Sequence, residues 1–330
     1  MTPRRVARLA LLLIIAAFVF GVSMTIGAAH LPLREVIAAL GGAGDETTRA
    51  IVLHLRLPRA VLALLVGGAL GLAGAVFQAL LRNPLAEPWV LGVSGGAAVG
   101  AVTAVVLGWS LLAPWSVPLA AFAGALLAIL LVLRIATYAA SGLDTRVLIL
   151  AGLVVAAFFN AVIQLLLTFA SGETFRSALF WMMGSLAAAD WTSVVLLTAY
   201  MLPAMAALLL MARPLNLLAV GEETALYLGT RVERVKLASY LIASLLVAAT
   251  VAVSGIIGFV GLIVPHAIRL MWGSDHQLLF PASVLLGGGF LLAADTAART
   301  VAAPAELPLG VITALVGVPL FVLLLTRRAV

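Results

Sequence analysis

What most restricts this chain is a succession of apolar runs, at roughly 9–29, 60–80, 90–107, 117–137, 147–169, 191–211, 236–254, 257–271, 279–297 and 308–326. About 20 apolar residues in helical form cross the hydrocarbon core of a bilayer. The runs show no alternation of polar and apolar residues, so they are helices and not the strands of a barrel. Lipid satisfies no backbone polar group, and a continuous helix satisfies its own. The expected fold class is an all-α polytopic membrane protein with ten spans, one transmembrane domain over residues 1–330. Composition agrees. Only 10% of the residues are charged, against about a quarter in soluble domains. Cysteine is absent, which excludes disulfides and thiolate metal sites.

The first run follows Arg4, Arg5 and Arg8 and has the layout of a signal peptide. Nine further runs follow, so it is read as an uncleaved first helix. An even number of spans puts both termini on one side. With the termini in the cytoplasm, thirteen of the 19 Lys and Arg fall at inner ends, Arg327 and Arg328 among them, and six fall outside. That excess is the positive-inside pattern. The net charge of +6 is therefore a topology signal and does not point to nucleic acid. The longest outer segments, 30–59 and 170–190, are too short for an independent core. The second holds FRSALFWMMGSLAAADW, which predicts a helix over about 174–186 lying at the outer surface.

The longest inner polar stretch is Arg213–Lys236, RPLNLLAVGEETALYLGTRVERVK. It reads as two short helical pieces hinged near Gly221, with an apolar face of its own. This is a handle for a water-soluble partner more than a connector. Gly67 and Gly71 in the second run, and Gly92, Gly96 and Gly100 in the third, recur at helical spacing. They are expected to let helix backbones pack closely. Asn160, Gln164 and Thr168 sit at i, i+4 and i+8 of the fifth run and form one polar stripe leading to Arg176. Such a stripe is either a pathway or interhelical glue; three aligned residues favour a pathway. Two roles are open to Arg176: holding an anionic group at the outer mouth, or anchoring the surface helix. His54 and His266 are read as lone structural histidines, and His30 and His276 fall on opposite sides of the membrane, so no metal site is expected. Asp295 and Glu306 lie at outer ends with no basic partner evident, which gives a proton relay little support.

Residues 54–101, HLRLPRAVLALLVGGALGLAGAVFQALLRNPLAEPWVLGVSGGAAVGA, resemble the FecCD-type permeases of ABC importers for iron chelates, haem and cobalamin. The stretches GIIGFVGLIVPHAIRL at 255–270 and AELPLGVITALVGVPLFVLLL at 305–325 are similar to later blocks of the same family. The resemblance implies a type II importer architecture of ten spans per subunit and a homodimer in the cytoplasmic, inner membrane with its pathway on the two-fold axis. It also implies a separate ATPase dimer carrying ATP-Mg and a periplasmic binding protein that delivers the cargo. Haem or a ferric siderophore is favoured as cargo, with cobalamin as the alternative. The chain itself is then no enzyme and binds no cofactor. One observation on the residues agrees: a phosphate-binding P-loop needs a Gly-Lys step, and the single lysine, Lys236, follows Val235. Glu223-Thr224-Ala225-Leu226-Tyr227-Leu228-Gly229 is similar to the EAA-xxx-G pattern of importer coupling loops. Leu217, Gly221, Glu222, Glu223, Ala225 and Gly229 are accordingly expected at the ATPase contact. The resemblance further implies that outer arginines pair with carboxylates of the binding protein. Arg59 and Arg299 fit that role, and Arg56 fits it and headgroup anchoring about equally. Two competitors remain: a proton- or sodium-driven secondary transporter, which needs ionisable groups at mid-membrane, and a channel or scaffold.

Overall fold

Four aspartates set where four helices begin. Asp45, Asp144, Asp190 and Asp275 each turn a carboxylate onto a backbone N–H one turn ahead, at Thr48, Arg146 and Val147, Ser193, and Gln277. Each satisfies donors that a helix start otherwise leaves open. The computed structural model describes residues 3–27, 30–111, 113–139 and 143–326, so Arg327, Arg328 and the last two residues of the first run lie outside it.

Ten apolar helices follow one another: α1 (Pro3–Thr25), α2 (Leu57–Leu80), α3 (Val93–Val106), α4 (Ser116–Ala139), α5 (Thr145–Thr168), α6 (Trp191–Leu210), α7 (Val232–Ser254), α8 (Val260–Trp272), α9 (His276–Ala298) and α10 (Leu309–Thr326). They fall on the ten expected runs. Seven are long and apolar enough to cross a membrane, and α3, α8 and α10 are shorter. The end of the bundle at which α1 starts is called the near end, and the opposite one the far end.

The shortness of α3 and α8 has a local cause. Each is approached by chain that is not α-helical and that enters the bundle, with one 3-10 turn at Pro88–Leu91. Residues 81–92 contain Pro84 and Pro88, and residues 255–259 form an extended link. The two meet where Glu87 accepts the Phe259 N–H with one carboxylate oxygen and the Trp89 indole N–H with the other, at 2.8 Å for the latter. Irregular backbone at membrane depth needs protein partners of this kind.

α2 is the axis of the molecule and is buried on almost every side. Its glycines make that possible. A Cβ on Gly67, Gly71 or Gly74 would overlap the carbonyl oxygen of Gly287, Ser283 or Gly261, on α9 and α8. In the same way Gly96 and Gly100 of α3 lie against Gly124 and Ala120 of α4. Gly92 does not belong to that stripe. It precedes α3 with φ +79°, a left-handed turn that glycine adopts without steric cost. α2 also repairs α8. Pro265 has no N–H for the carbonyl of Gly261, four residues earlier. The Gln78 amide donates to that oxygen at 3.1 Å and to Leu262 O at 3.2 Å.

The surface helix covers Gly172–Met182, capped by Ser171. It ends earlier than the expected 186 because Gly184 turns the chain at φ +73°.

Candidate functional site

Three groups of residues concern function: a helix pair at the near end, an arginine cluster at the far end, and a cavity between α3 and α5.

The near-end segment forms two helices, Ala212–Val220 and Glu222–Tyr227, joined by Gly221 in extended conformation. Leu215, Leu218 and Ala225 are buried, and Leu217, Gly221 and Glu222 are half-buried. Glu223 and Gly229 are exposed. Gly229 closes the second helix at φ +80°, its N–H reaching Leu226 O at 2.9 Å. That is a left-handed C-terminal stop. The tip presents Val220, Leu226, Tyr227 and Leu228 to the surroundings, with Tyr227 91% exposed. The sequence reading did not place these four at the contact; the signal was there, as apolar residues next to a helix-ending glycine in a polar stretch.

The pair is tied into the bundle at several points. Asn216 donates to Asp275 at 2.9 Å and accepts the His276 N–H at 3.0 Å. Arg5 of α1 pairs with the same Asp275 and donates to Gln277 at 3.0 Å. Burial pushes the Asp275 carboxyl up, but the Asn216 amide, the Gln277 N–H and the Arg5 charge outweigh it and hold it below the usual range. Glu222 pairs with Arg82 at 2.8 Å and with Lys236 at 3.0 Å. Asp144, which starts α5, is also held low, by the Val147 and Arg146 N–H groups and, more weakly, by the charges of Arg146 and Lys236.

At the far end the structure brings Arg56, Arg59 and Arg299 together around a cavity of about 390 Å³, with Gly27, Ile51 and Glu306 among its other walls. Arg56 is buried and donates to Met24 O at 2.7 Å. Arg59 clasps two carboxylates. Its Nε and Nη2 reach Asp295 at 2.9–3.1 Å, and its Nη1 and Nη2 reach Glu306 at 2.9 and 3.0 Å. Arg299 lies 3.6 Å from Asp295 and donates to Ser23 at 2.6 and 2.7 Å. The expectation that Asp295 and Glu306 lack basic partners is therefore corrected. The partner stands at the start of α2, 236 residues before Asp295, and chain folding alone unites them.

A cavity of about 360 Å³ lies between α3 and α5, lined by Trp89, Ser94, Gly95, Asn160, Met182 and Ile256 among others. Asn160 is thus in its wall. Gln164 and Thr168 lie on the same exposed face of α5 but beyond the lining, and Thr168 Oγ1 donates back to Gln164 O at 2.8 Å. Arg176 is exposed on the surface helix. His266 is buried with its ring edge-on to Phe321, centroids 5.9 Å apart. Among the described residues no three His, Asp or Glu come together in a way that could hold a metal.

Comparison with known proteins places these features. The chain is 46% identical over 285 residues to the cobalamin import system permease protein BtuC of Halobacterium salinarum, covering 86% of this chain and 76% of the relative. It is 42% identical to the hemin transport system permease protein HmuU of Yersinia pestis, covering 84% of each. A solved metal-chelate type ABC transporter in an inward-facing conformation superposes with a TM-score of 0.87 at 32% identity, covering 97% of this chain and 98% of the other. The FecCD transport family profile matches residues 12–327, and the chain belongs to that family: it is a membrane-spanning ABC importer permease.

Proposed function

We propose that two copies of this chain form the passage of an importer in the cytoplasmic membrane, with both termini in the cytoplasm. An ATPase pair beneath it hydrolyses ATP-Mg, and a binding protein delivers the cargo from above. The near end is then the cytoplasmic face. One observation carries the reading: the apolar tip of Val220, Leu226, Tyr227 and Leu228 stands clear of the bundle on a two-helix handle. Apolar side chains exposed together outside the membrane favour a protein partner. Alternating access follows if that partner moves the handle and the handle moves the spans.

The cargo is a bulky metal chelate, haem or a ferric siderophore. Supporting this are the name of the relative that shares 42% identity and a passage wall in which Asn160 is a lone amide among mostly small and apolar side chains. Weak contacts suit conduction, which needs release as well as capture. A cobalamin cargo is the second reading, favoured by the name of the relative at 46% identity. Arg176, exposed near the far mouth, is the group that would hold an anionic chelate. Arg56, Arg59 and Arg299 line the far cavity, but their forks are held by groups of this chain, Arg59 by Asp295 and Glu306, Arg299 by Asp295 and Ser23, and Arg56 by Met24 O. Arg59 would reach a carboxylate of the binding protein by exchanging Glu306, the half-exposed partner, for it.

The test is uptake in proteoliposomes with and without the ATPase subunit and ATP. Accumulation only with both supports the reading. Accumulation driven by a proton or sodium gradient, with no ATPase present, refutes it. Titrating haem, a ferric siderophore and cobalamin against the binding protein decides between the cargoes.

A further inference from the structure

Lys236 is the single lysine of the chain, and it is buried, its side chain 5% exposed. A lysine ammonium in such a place needs carboxylate partners. It has two. Nζ lies 3.0 Å from one oxygen of Glu222 and 3.2 Å from one oxygen of Glu233. Each glutamate uses its other oxygen to hold a different piece of chain. Glu222 holds Arg82 at 2.8 Å. Glu233 accepts the Leu143 N–H at 2.8 Å.

Those two pieces lead to the same cavity. Arg82 stands where α2 gives way to the 81–92 link and carries φ +47°, an uncommon conformation for a residue with a side chain. That link supplies Trp89 to the cavity wall and Glu87 to Phe259. Leu143 directly precedes Asp144, the cap of α5, and α5 supplies Asn160 to the lining of the same cavity. Glu222 is also the first residue of the Glu222–Tyr227 helix. One lysine and two glutamates thus join the tip of the handle to both approaches of the passage. With Arg82 included, two positive and two negative charges balance.

We infer that Lys236 is a positioning residue that transmits displacement of the Glu222–Tyr227 helix to the 81–92 link and to the start of α5. This rests on the proposed function, in which an ATPase moves that helix. A displaced Glu222 must drag Arg82 and Lys236 or break from them. Lys236 in turn must drag Glu233 and the start of α5. The fold does not depend on this linkage in the same degree. Glu222 and Glu233 are 34% and 57% exposed, so water replaces the ammonium when it is removed, and methionine fills the space of the lysine stem.

The test uses the full permease assembled with its ATPase subunit in proteoliposomes. Wild-type uptake must depend on ATP; if it does not, the proposed function has failed and the linkage is moot. Given that dependence, Lys236→Met is expected to assemble with the ATPase and hydrolyse ATP at the wild-type rate. Cargo moved per ATP should fall at least about tenfold, the factor that losing even one of the two charge-assisted hydrogen bonds of Lys236 produces in an equilibrium. Lys236→Arg should restore much of it. Spin labels at Leu85 and Arg146 should change separation on trapping with ATP and vanadate in the wild type, and stay put in Lys236→Met. Glu233→Gln, which keeps an acceptor for Leu143 but removes one charge, carries the same test if Lys236→Met does not fold. Normal cargo per ATP in a folded variant overturns the inference. So does equal loss of ATPase assembly and uptake, because Lys236 would then serve docking alone.

Discussion

Arg59 binds two carboxylates through hydrogen bonds of nearly equal length, yet the two should differ severalfold in their effect on stability. Asp295 is 1% exposed and Glu306 is 43% exposed. Glu306 keeps a substantial part of its hydration, and pairs of that kind contribute about 0.2–1 kcal/mol. Asp295 sits between two guanidiniums in nearly dry surroundings. Converting it to Asn leaves Arg59 and Arg299 facing each other with one charge too few, and breaking a buried pair costs about 3–5 kcal/mol. Asp295→Asn should therefore lower stability by several kcal/mol, and Glu306→Gln by less than about 1. Replacing both partners by apolar residues, as in Arg59→Met with Asp295→Leu, should cost less than the two single changes added together. The assay is a denaturant titration of the purified protein in detergent. The six tryptophans provide the signal, and with no cysteine present a thiol-reactive dye does not. The reasoning is refuted if Glu306→Gln costs as much as Asp295→Asn. It is refuted equally if the Arg59 and Asp295 changes add within about 0.5 kcal/mol, as distant sites do.

Gly74→Ala should destabilise by about 1–3 kcal/mol, because its Cβ would meet the carbonyl of Gly261 and force α2 and α8 apart. Gly21→Ala, in α1 with nothing within 4 Å of its Cβ, should be neutral or slightly stabilising in the same titration. Tyr227→Asp at the handle tip should leave stability within about 0.5 kcal/mol and weaken ATPase capture, measured by surface plasmon resonance, at least about tenfold; unchanged capture would remove the tip from the contact. Asp144 has its pKa held below the ordinary 3.8 by the Val147 and Arg146 N–H groups. Its contribution is therefore present above pH 3.8 and is lost as pH falls through the lower folded-state value. The stability gap between wild type and Asp144→Ala should be constant from pH 7 to about 5 and close below 3.8; a gap that closes near neutral pH would contradict this.

The helices were legible because lipid sets their length and forbids the alternatives. The handle was legible because Gly221 and Gly229 mark a hinge and a stop within the longest inner polar stretch. Close packing was legible at Gly67, Gly71, Gly96 and Gly100, but Gly92 shares their spacing and serves a turn instead. Spacing reports which residues share a face only where the helix has already begun. The shortness of α8 was legible, because the 257–271 run is short and interrupted by Gly and Pro; that of α3 was obscured for a related reason. Residues 81–88 carry Arg82, Asn83, Pro84, Glu87 and Pro88 and read as a break, but Val90 and Leu91 are apolar and extend the run backwards through a 3-10 turn that hydropathy does not tell from α-helix. The ion pairs were least legible. Arg59 and Asp295 are 236 residues apart, and no periodic pattern within a span relates them. Glu222 and Lys236 are only 14 apart, but the turn at Gly229 decides that they meet. At both ends of the bundle the charges read as ordinary span flanks, which is what the positive-inside pattern makes of any basic residue there. Burial separates the two kinds: a flanking charge remains in water, while Arg59, Lys236 and Asp295 have left it. Their partners can be found only once the helices have been packed, so in a chain this apolar the chemistry that distinguishes one polar residue from another is settled by tertiary structure.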